Sequence, residues 1–323
     1  MAGFTWAVGD MGSSFFNAKG AISREILNLV DKNPKVAYIN SDGTGKGNVL
    51  EEYSKKYPHR VYDVGIQEMN MVTSACGMAK MGYIPYVQTF GPFLLFRAYD
   101  QVHNDICYND FPVKLIGTHA GTSSGLGPTH NDIVDFAICN ALPNMTVMAP
   151  CDAGQLISAI QASENYPHPL YIRVPRGEEP MVYPEDLEMD FQIGKANEAK
   201  EGTELYFIAT GSMVFHAIKA AAALQEDGID VGVFDMHTIK PLDLAAVEKA
   251  ARTGRVITVE DHNVNGGLGT VVGSAILEMG IPTKFRKIGI PDKFVPFGYP
   301  ETIYPAYGMD AAGLEAAARE MLA

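Results

Sequence analysis

The chain has 323 residues, of which 47% are apolar and 20% charged, and its formal net charge is −13. This length exceeds the roughly 100–200 residues of a usual single core, so two domains are expected, and the composition excludes a disordered chain. The acidic balance argues against nucleic acid or an anionic membrane as a partner. The N-terminal residues lack the basic start and apolar core of a signal peptide, and no apolar run approaches the ~18 residues of a membrane span. Cys76, Cys107, Cys139 and Cys151 form no C-x-x-C pair. They read as buried, reduced thiols of a cytoplasmic protein rather than as zinc or redox ligands.

In chain order, Val36–Ile39 reads as a strand running into the glycine-rich Ser41-Asp-Gly-Thr-Gly-Lys-Gly47. Met71, Val72, Ala75, Cys76 and Ala79 recur at helical spacing, which predicts a helix from near Gln67 to Gly82. Further strands are expected at Tyr83–Thr89, Val113–Thr118, Thr146–Ala149 and Leu170–Val174. The intervening helices fall near Leu95–Tyr108, Ile133–Leu142 and Ala153–Asn165. From Gly177 to about Asn197 the pattern fails among prolines and acids, which marks a linker. A second alternating unit has strands at Leu205–Ala209, Val231–Asp235 and Val256–Val259, with helices at Val214–Glu226 and Thr270–Glu278. The expected fold is α/β: two doubly wound domains, each a mostly parallel sheet with helices on both faces. The expected division is residues 1–180, a linker at 181–197, and residues 198–323.

Two glycine motifs invite a nucleotide reading. Gly43-x-Gly45-x-Gly47 lacks P-loop spacing, and Val272 stands where a dinucleotide fingerprint beginning at Gly267 would need Gly or Ala, so both read as tight turns. His59, His103, His168, His216, His237 and His262 are scattered without ligand spacing, and no metal site is expected. Three other clusters carry chemistry. They are Asp63-Val-Gly-Ile-Gln-Glu68-Met-Asn-Met-Val72, then Thr89-Phe-Gly-Pro-Phe93-Leu-Leu-Phe96-Arg-Ala-Tyr99-Asp-Gln101, then Thr118-His119 through Gly127-Pro-Thr-His130. Taken singly, a helix-start glutamate serves the helix dipole and a Phe/Phe/Tyr repeat serves a core. The histidine-flanked loop lies where open parallel sheets bind ligands.

Together the clusters resemble the transketolase family. Gly65-Ile-Gln-Glu68 resembles its G-I-x-E signature, Phe93-x-x-Phe96-x-x-Tyr99 its aromatic motif, and Gly127-Pro-Thr-His130 its substrate loop. Arg173-Val-Pro-Arg176-Gly, His237-Thr-Ile-Lys-Pro-Leu-Asp243 and Val259-Glu-Asp-His-Asn-Val-Asn-Gly-Gly267 extend the likeness into the second unit. The resemblance implies a pyrimidine-binding domain followed by the family's C-terminal domain, with thiamine diphosphate as cofactor. Glu68 would share a proton with the pyrimidine ring nitrogen, and Phe93 or Phe96 would stack on the ring with Tyr99 packed against it. His119 and His130 would serve the reacting oxygens. Arg176 would hold a sugar-phosphate end, with Asn40 and Lys19 as looser candidates. The family's diphosphate and Mg²⁺ ligands lie in another domain marked by G-D-G, which this sequence lacks. The resemblance therefore implies a split enzyme whose partner is an N-terminal transketolase subunit, in an α2β2 assembly acting on sugars or sugar phosphates. The beta subunit of a 2-oxoacid dehydrogenase and a deoxyxylulose-phosphate synthase are neighbouring readings, the latter echoed in Arg97-Ala-Tyr-Asp-Gln101 and Ile290-Pro-Asp292. A scaffold subunit without catalysis is a reading of another class.

One residue departs from the pattern. Leu126 stands directly before Gly127-Pro-Thr-His130, where the family typically has an aspartate that accepts a hydrogen bond from a sugar hydroxyl. Either the substrate lacks that hydroxyl pattern, or a neighbour such as Ser123 or Ser124 replaces the aspartate.

Overall fold

The computed structural model describes residues 15–42, 49–176, 178–183 and 190–323. Gly43–Gly47, expected to form a tight turn, and the side chain of Lys19 lie outside the described set.

The first unit is built on strands β2 (Val36–Asn40), β3 (Val61–Asp63), β4 (Ile84–Phe90), β5 (Lys114–Thr118), β6 (Thr146–Met148) and β7 (Leu170–Arg173). These run parallel in the order β6-β7-β5-β4-β2-β3. Every residue of β2, β5, β6 and β7 is buried, as expected of strands covered on both faces. Helices α1 (Ala18–Lys32) and α7 (Ala153–Ser163) cover one face through Ile22, Ile26, Val30, Leu156 and Ile160. Helices α3 (Glu68–Lys80), α4 (Gly91–Arg97) and α6 (Asp135–Ala141) cover the other through Met71, Val72, Leu94, Leu95 and Phe136. The second sheet has the order β14 (Lys284–Ile290), β13 (Arg255–Asn263), β10 (Leu205–Ala209), β11 (Val231–Asp235), β9 (Asn197–Lys200). It is parallel except for β9. Helices α8 (Met213–Glu226) and α12 (Ala311–Leu322) pack on its far side, and α9 (Leu244–Ala251) and α10 (Leu268–Met279) face the first unit's core.

The two units share structure. Strand β12 (Thr238–Lys240) leaves the second unit and pairs antiparallel with β6, becoming the edge of the first sheet. Lys240 then donates to the carbonyls of Asn140 and Leu142.

Several elements differ from expectation. The long helix expected from Leu95 to Tyr108 begins earlier, at Gly91-Pro92, where the fixed proline φ suits a first turn. It breaks at Ala98 and continues as a short helix, α5 (Tyr99–Gln101), and a π-helical turn over Val102–Cys107. Within the expected linker, β8 (Glu178–Pro180) pairs with β1 (Phe15–Asn17), a backbone pairing that requires no side-chain pattern. The Gly266–Gly269 segment is a tight turn, and its helix N-terminus is already capped by the chain. Glu260 accepts the Leu268 and Gly269 amides at 2.7 and 2.8 Å. All four cysteines are free, and Cys107, Cys139 and Cys151 are buried.

Lys114 sits at the start of β5 with no exposed surface, donating to the carbonyls of Tyr166 and His168. Burial pulls its ammonium down to about 7. A depressed lysine gives stability that is complete above its unfolded value near 10.5 and is lost as pH falls from there to about 7. Relative to Lys114→Met, the wild type should therefore gain stability as pH rises from about 7 to about 10.5. Urea midpoints of both proteins across that window check the sign.

Candidate active site

In a parallel sheet the strands end along one edge. Asn40, Asp63, Phe90, Thr118 and Arg173 terminate their strands along the carboxyl edge of the first sheet, and Glu68 opens the helix that follows β3. This is the edge at which open α/β sheets bind ligands. The turn into α3 is set by the Asp63 carboxylate, which collects the Asn40 amide at 2.7 Å, the Gly65 amide at 2.6 Å and the Asp42 amide at 2.9 Å. Gly65 supplies the positive φ of 72° that this tight reversal needs. Glu68 then stands as the first residue of α3, only 5% exposed, and accepts a hydrogen bond from Arg97 Nη1 at 3.0 Å.

An aromatic cluster adjoins this carboxylate. The Arg97 guanidinium lies 4.1 Å over the Phe93 ring. Phe93 stacks with Phe90 at 5.5 Å and meets His130 edge-on at 5.2 Å. Phe90 in turn stacks on His119 at 3.6 Å. Glu68, Phe93, His119 and His130, separated by up to 62 positions in sequence (130 − 68), thus form one chain of contacts. His119 holds a left-handed φ of 62°, and its Nδ1 lies 3.1 Å from Thr118 Oγ1. His130 Nδ1 lies 2.8 Å from Thr129 Oγ1.

The loop between the histidines is braced from inside. Ser123 Oγ donates to the Ala120 carbonyl at 2.9 Å and accepts the Arg176 amide at 2.8 Å. Ser124 Oγ donates to Asn131 Oδ1 and accepts the Leu126 amide at 3.2 Å. Arg176 Nη1 donates to the Ser124 carbonyl at 2.7 Å. Leu126 is 37% exposed at the loop tip, between two glycines of positive φ. Side chains at those glycines would strike Tyr299 and Phe297, so the second unit covers the loop closely.

The other expected residues sit elsewhere. Phe96 is half exposed and lines a cleft of about 310 Å³ with Pro128, Ile133, Asn263, Phe294 and Val295. Tyr99 packs against the core, where burial raises its phenol. Asn40 has no exposed surface and is tied to Asp63. Phe90 and Arg97 join the cluster with no site role expected of them from the sequence, although both lie within the Thr89–Gln101 segment. Arg173, which opens the Arg173-Val-Pro-Arg176 motif, is a further unexpected member. It is 7% exposed, with Nε 3.2 Å from Asp135 Oδ2, and its Nη2 donates to the Asp132 and Asp261 carbonyls at 3.2 and 2.6 Å. Burial raises the carboxyls of Asp132, Asp135 and Asp261, and Arg173 pulls each back down.

The donor set suits a flat nitrogen heterocycle. A nearly buried carboxylate and an aromatic face lie close enough for one guanidinium to touch both. Among the described residues, no group of three or more His, Cys, Asp or Glu side chains is arranged to hold a metal ion, and no helix is long and apolar enough to cross a membrane.

Fold and site define a two-unit α/β protein with an acid, aromatics and two histidines at one sheet edge. Two family models match in tandem: the transketolase pyrimidine binding domain over residues 16–181 and the transketolase C-terminal domain over residues 194–314. The chain is 35% identical over 306 residues to a subunit of the apulose-4-phosphate transketolase of Phocaeicola vulgatus, covering 94% of this chain and 97% of that protein. It is 38% identical to 1-deoxy-D-xylulose-5-phosphate synthase 1 of Geobacter metallireducens, covering 94% of this chain but 48% of that protein. A solved structure titled split gene transketolase, inactive beta4 tetramer, superposes with a TM-score of 0.85 at 32% identity, covering 96% of this chain and 99% of that one. The chain belongs to the transketolase family.

Replacing Arg173 with methionine leaves buried carboxylates without their cation. Loss of one partner from such a group typically costs about 3–5 kcal/mol. Arg173→Met should lose stability of that order in urea unfolding, whereas Arg286→Met, whose partner Glu320 is exposed, should lose less than about 1 kcal/mol.

Proposed function

We propose that this chain is the pyrimidine-binding and C-terminal subunit of a split transketolase. With a separate N-terminal subunit carrying the diphosphate and Mg²⁺ ligands, it transfers a two-carbon ketol unit from a ketose donor to an aldehyde acceptor. An α2β2 assembly is the arrangement this implies, with the domain division at 1–180, 181–197 and 198–323. The observation that carries the reading is the contact chain Glu68–Arg97–Phe93–His130, which gathers a carboxylate, an aromatic face and a proton-carrying ring at one edge. The near full-length match to a protein named as a transketolase subunit supports the split.

Thiamine diphosphate, when bound, would supply a carbon nucleophile. Glu68 would share a proton with the pyrimidine ring nitrogen, and Phe93 would offer an aromatic face to the ring. His119 and His130 exchange protons with substrate oxygens. The Phe90 stack and the Thr118 and Thr129 hydroxyls orient their rings. Arg176 is exposed and keeps donor capacity beyond its bond to Ser124 for an anionic substrate end.

Glu68→Ala should slow hydrogen–deuterium exchange at the thiazolium carbon by roughly 10²–10⁴-fold in the reconstituted pair, with little change in melting temperature. Unchanged exchange would remove Glu68 from this role. Turnover should also require both subunits, and robust ketol transfer by this chain alone would overturn the split reading.

We also propose that Leu126 shifts substrate choice away from ordinary pentose phosphates. Both serines that could replace an aspartate are buried and brace the loop, and a leucine leaves a nearby sugar hydroxyl unpaired. An unpaired buried group costs about 1–3 kcal/mol, or roughly 5- to 150-fold in kcat/KM. Leu126→Asp should improve ribose 5-phosphate use by that order relative to deoxy, branched, sulfonated or short aldehydes. Apulose 4-phosphate, after which one relative is named, belongs in the screen. If ribose 5-phosphate is already preferred and the substitution only harms it, Leu126 does not set specificity.

A further inference from the structure

Glu68 carries a carboxylate that is nearly buried, and a buried charge left unpaired is strongly unfavourable. Its partner here is unusual in shape. The Arg97 guanidinium is flat, cationic and half exposed; it donates to Glu68 Oε1 at 3.0 Å while lying 4.1 Å over the Phe93 ring. These are the two contacts proposed for the cofactor's pyrimidine, a ring N–H on the carboxylate and a π-face on the phenylalanine. The carboxylate can accept a second donor, but one ring face cannot hold two planar groups at once.

We infer that Arg97 is an internal stand-in for the pyrimidine ring, a latch that holds Glu68 and Phe93 in the free subunit and must swing away when the ring enters. This rests on the reading of Glu68 and Phe93 as the ring site. The local structure suits a movable latch. Arg97 is the last residue of α4, and the backbone breaks at Ala98, where φ is −104° and ψ is 19°. The base of the side chain is therefore fixed, while its half-exposed head is free to turn into solvent. At a helix C-terminus its cation is favoured whether or not it touches Glu68. The Phe93 face is further held by Phe90 and His130, so the ring site persists when the guanidinium leaves. Arg97 thus acts as a positioning residue. It keeps the carboxylate paired and aimed before assembly, and it sets a threshold that a ring must exceed.

The consequence is measurable without catalysis. A ligand that binds only the unlatched form has its affinity reduced by the unlatched fraction. If about nine in ten molecules are latched, removing the latch tightens ring binding about tenfold. The test is titration calorimetry of the full chain with 4-amino-2-methylpyrimidine, which carries the ring and no diphosphate. Arg97→Gln should bind about tenfold more tightly than wild type. Arg97→Lys, which keeps the charge but not the planar stack, should fall between them. Arg97→Gln binding no more tightly than wild type, including no binding in either protein, would overturn the latch. Glu68→Ala and Phe93→Ala, each placed on an Arg97→Gln background, separate the two ideas. If they abolish the binding, the ring site stands whatever Arg97 does. If ring binding survives both, the ring site itself is misplaced.

Discussion

Arg173 ends β7 beneath the site, and its guanidinium meets Asp135 from its own unit and the Asp132 and Asp261 carbonyls from both units. A cation so deep is tolerable only because carboxylates surround it, and those carboxylates are tolerable only because it is there. Asp261 extends the arrangement outward. It accepts the Thr122 amide at 2.9 Å and the Tyr304 hydroxyl at 3.1 Å, so the second unit grips the histidine loop at its root. The site loop is therefore anchored to charges in both units at once. The joint between the two sheets and the shape of the site are one structural problem.

That anchoring explains how His119 keeps a left-handed backbone. Such a conformation in a residue other than glycine costs of order 1–3 kcal/mol and persists only where the surroundings over-determine it. Ala120 pairs with Asp132 in an isolated parallel bridge and donates to the Val174 carbonyl. Phe90 covers the imidazole and Thr118 bonds its Nδ1. A histidine bent back in this way presents its ring to the aromatic cluster rather than continuing along the strand. Gly121, at φ 64°, completes the reversal where a side chain would strike Asp261.

The alternation of strands and helices is legible in the sequence because each buried strand is a short apolar run and most covering helices have one apolar face. The sequence marks Glu68 by a helix start and His119 by a strand end, and the structure sets both at the carboxyl edge of the first sheet. Arg173 is not marked in this way, because its partners lie as far as 88 residues away and no local pattern announces them. Strand β12 is hidden for the same reason: a three-residue run that pairs across units carries no periodicity of its own. Helices α9 and α12 escape the pattern because alanine supplies most of their buried face, so few large apolar residues mark it. The aromatic motif has the spacing of one surface and yet divides into three. A step of three residues turns a helix by about 60° short of a full circle, and the break at Ala98 adds to the drift. Phe93 consequently faces the site, Phe96 the cleft and Tyr99 the core.

Placing an acid beside an aromatic face at a rigid sheet edge has a physical cost. Left uncovered, such an edge is an exposed aromatic surface beside a carboxylate. The protein could leave that surface wet, fill it with an apolar side chain, or fill it with a cation. Water would leave Phe93 exposed, and an apolar side chain would leave Glu68 unpaired. A guanidinium satisfies both, since it donates to an acid from its edge and packs an aromatic from its face. Lysine can also sit over a ring as a cation, but it has no flat face to stack on it. The choice of arginine at position 97 therefore follows from the two surfaces it covers, and its half-exposed setting makes the cover reversible.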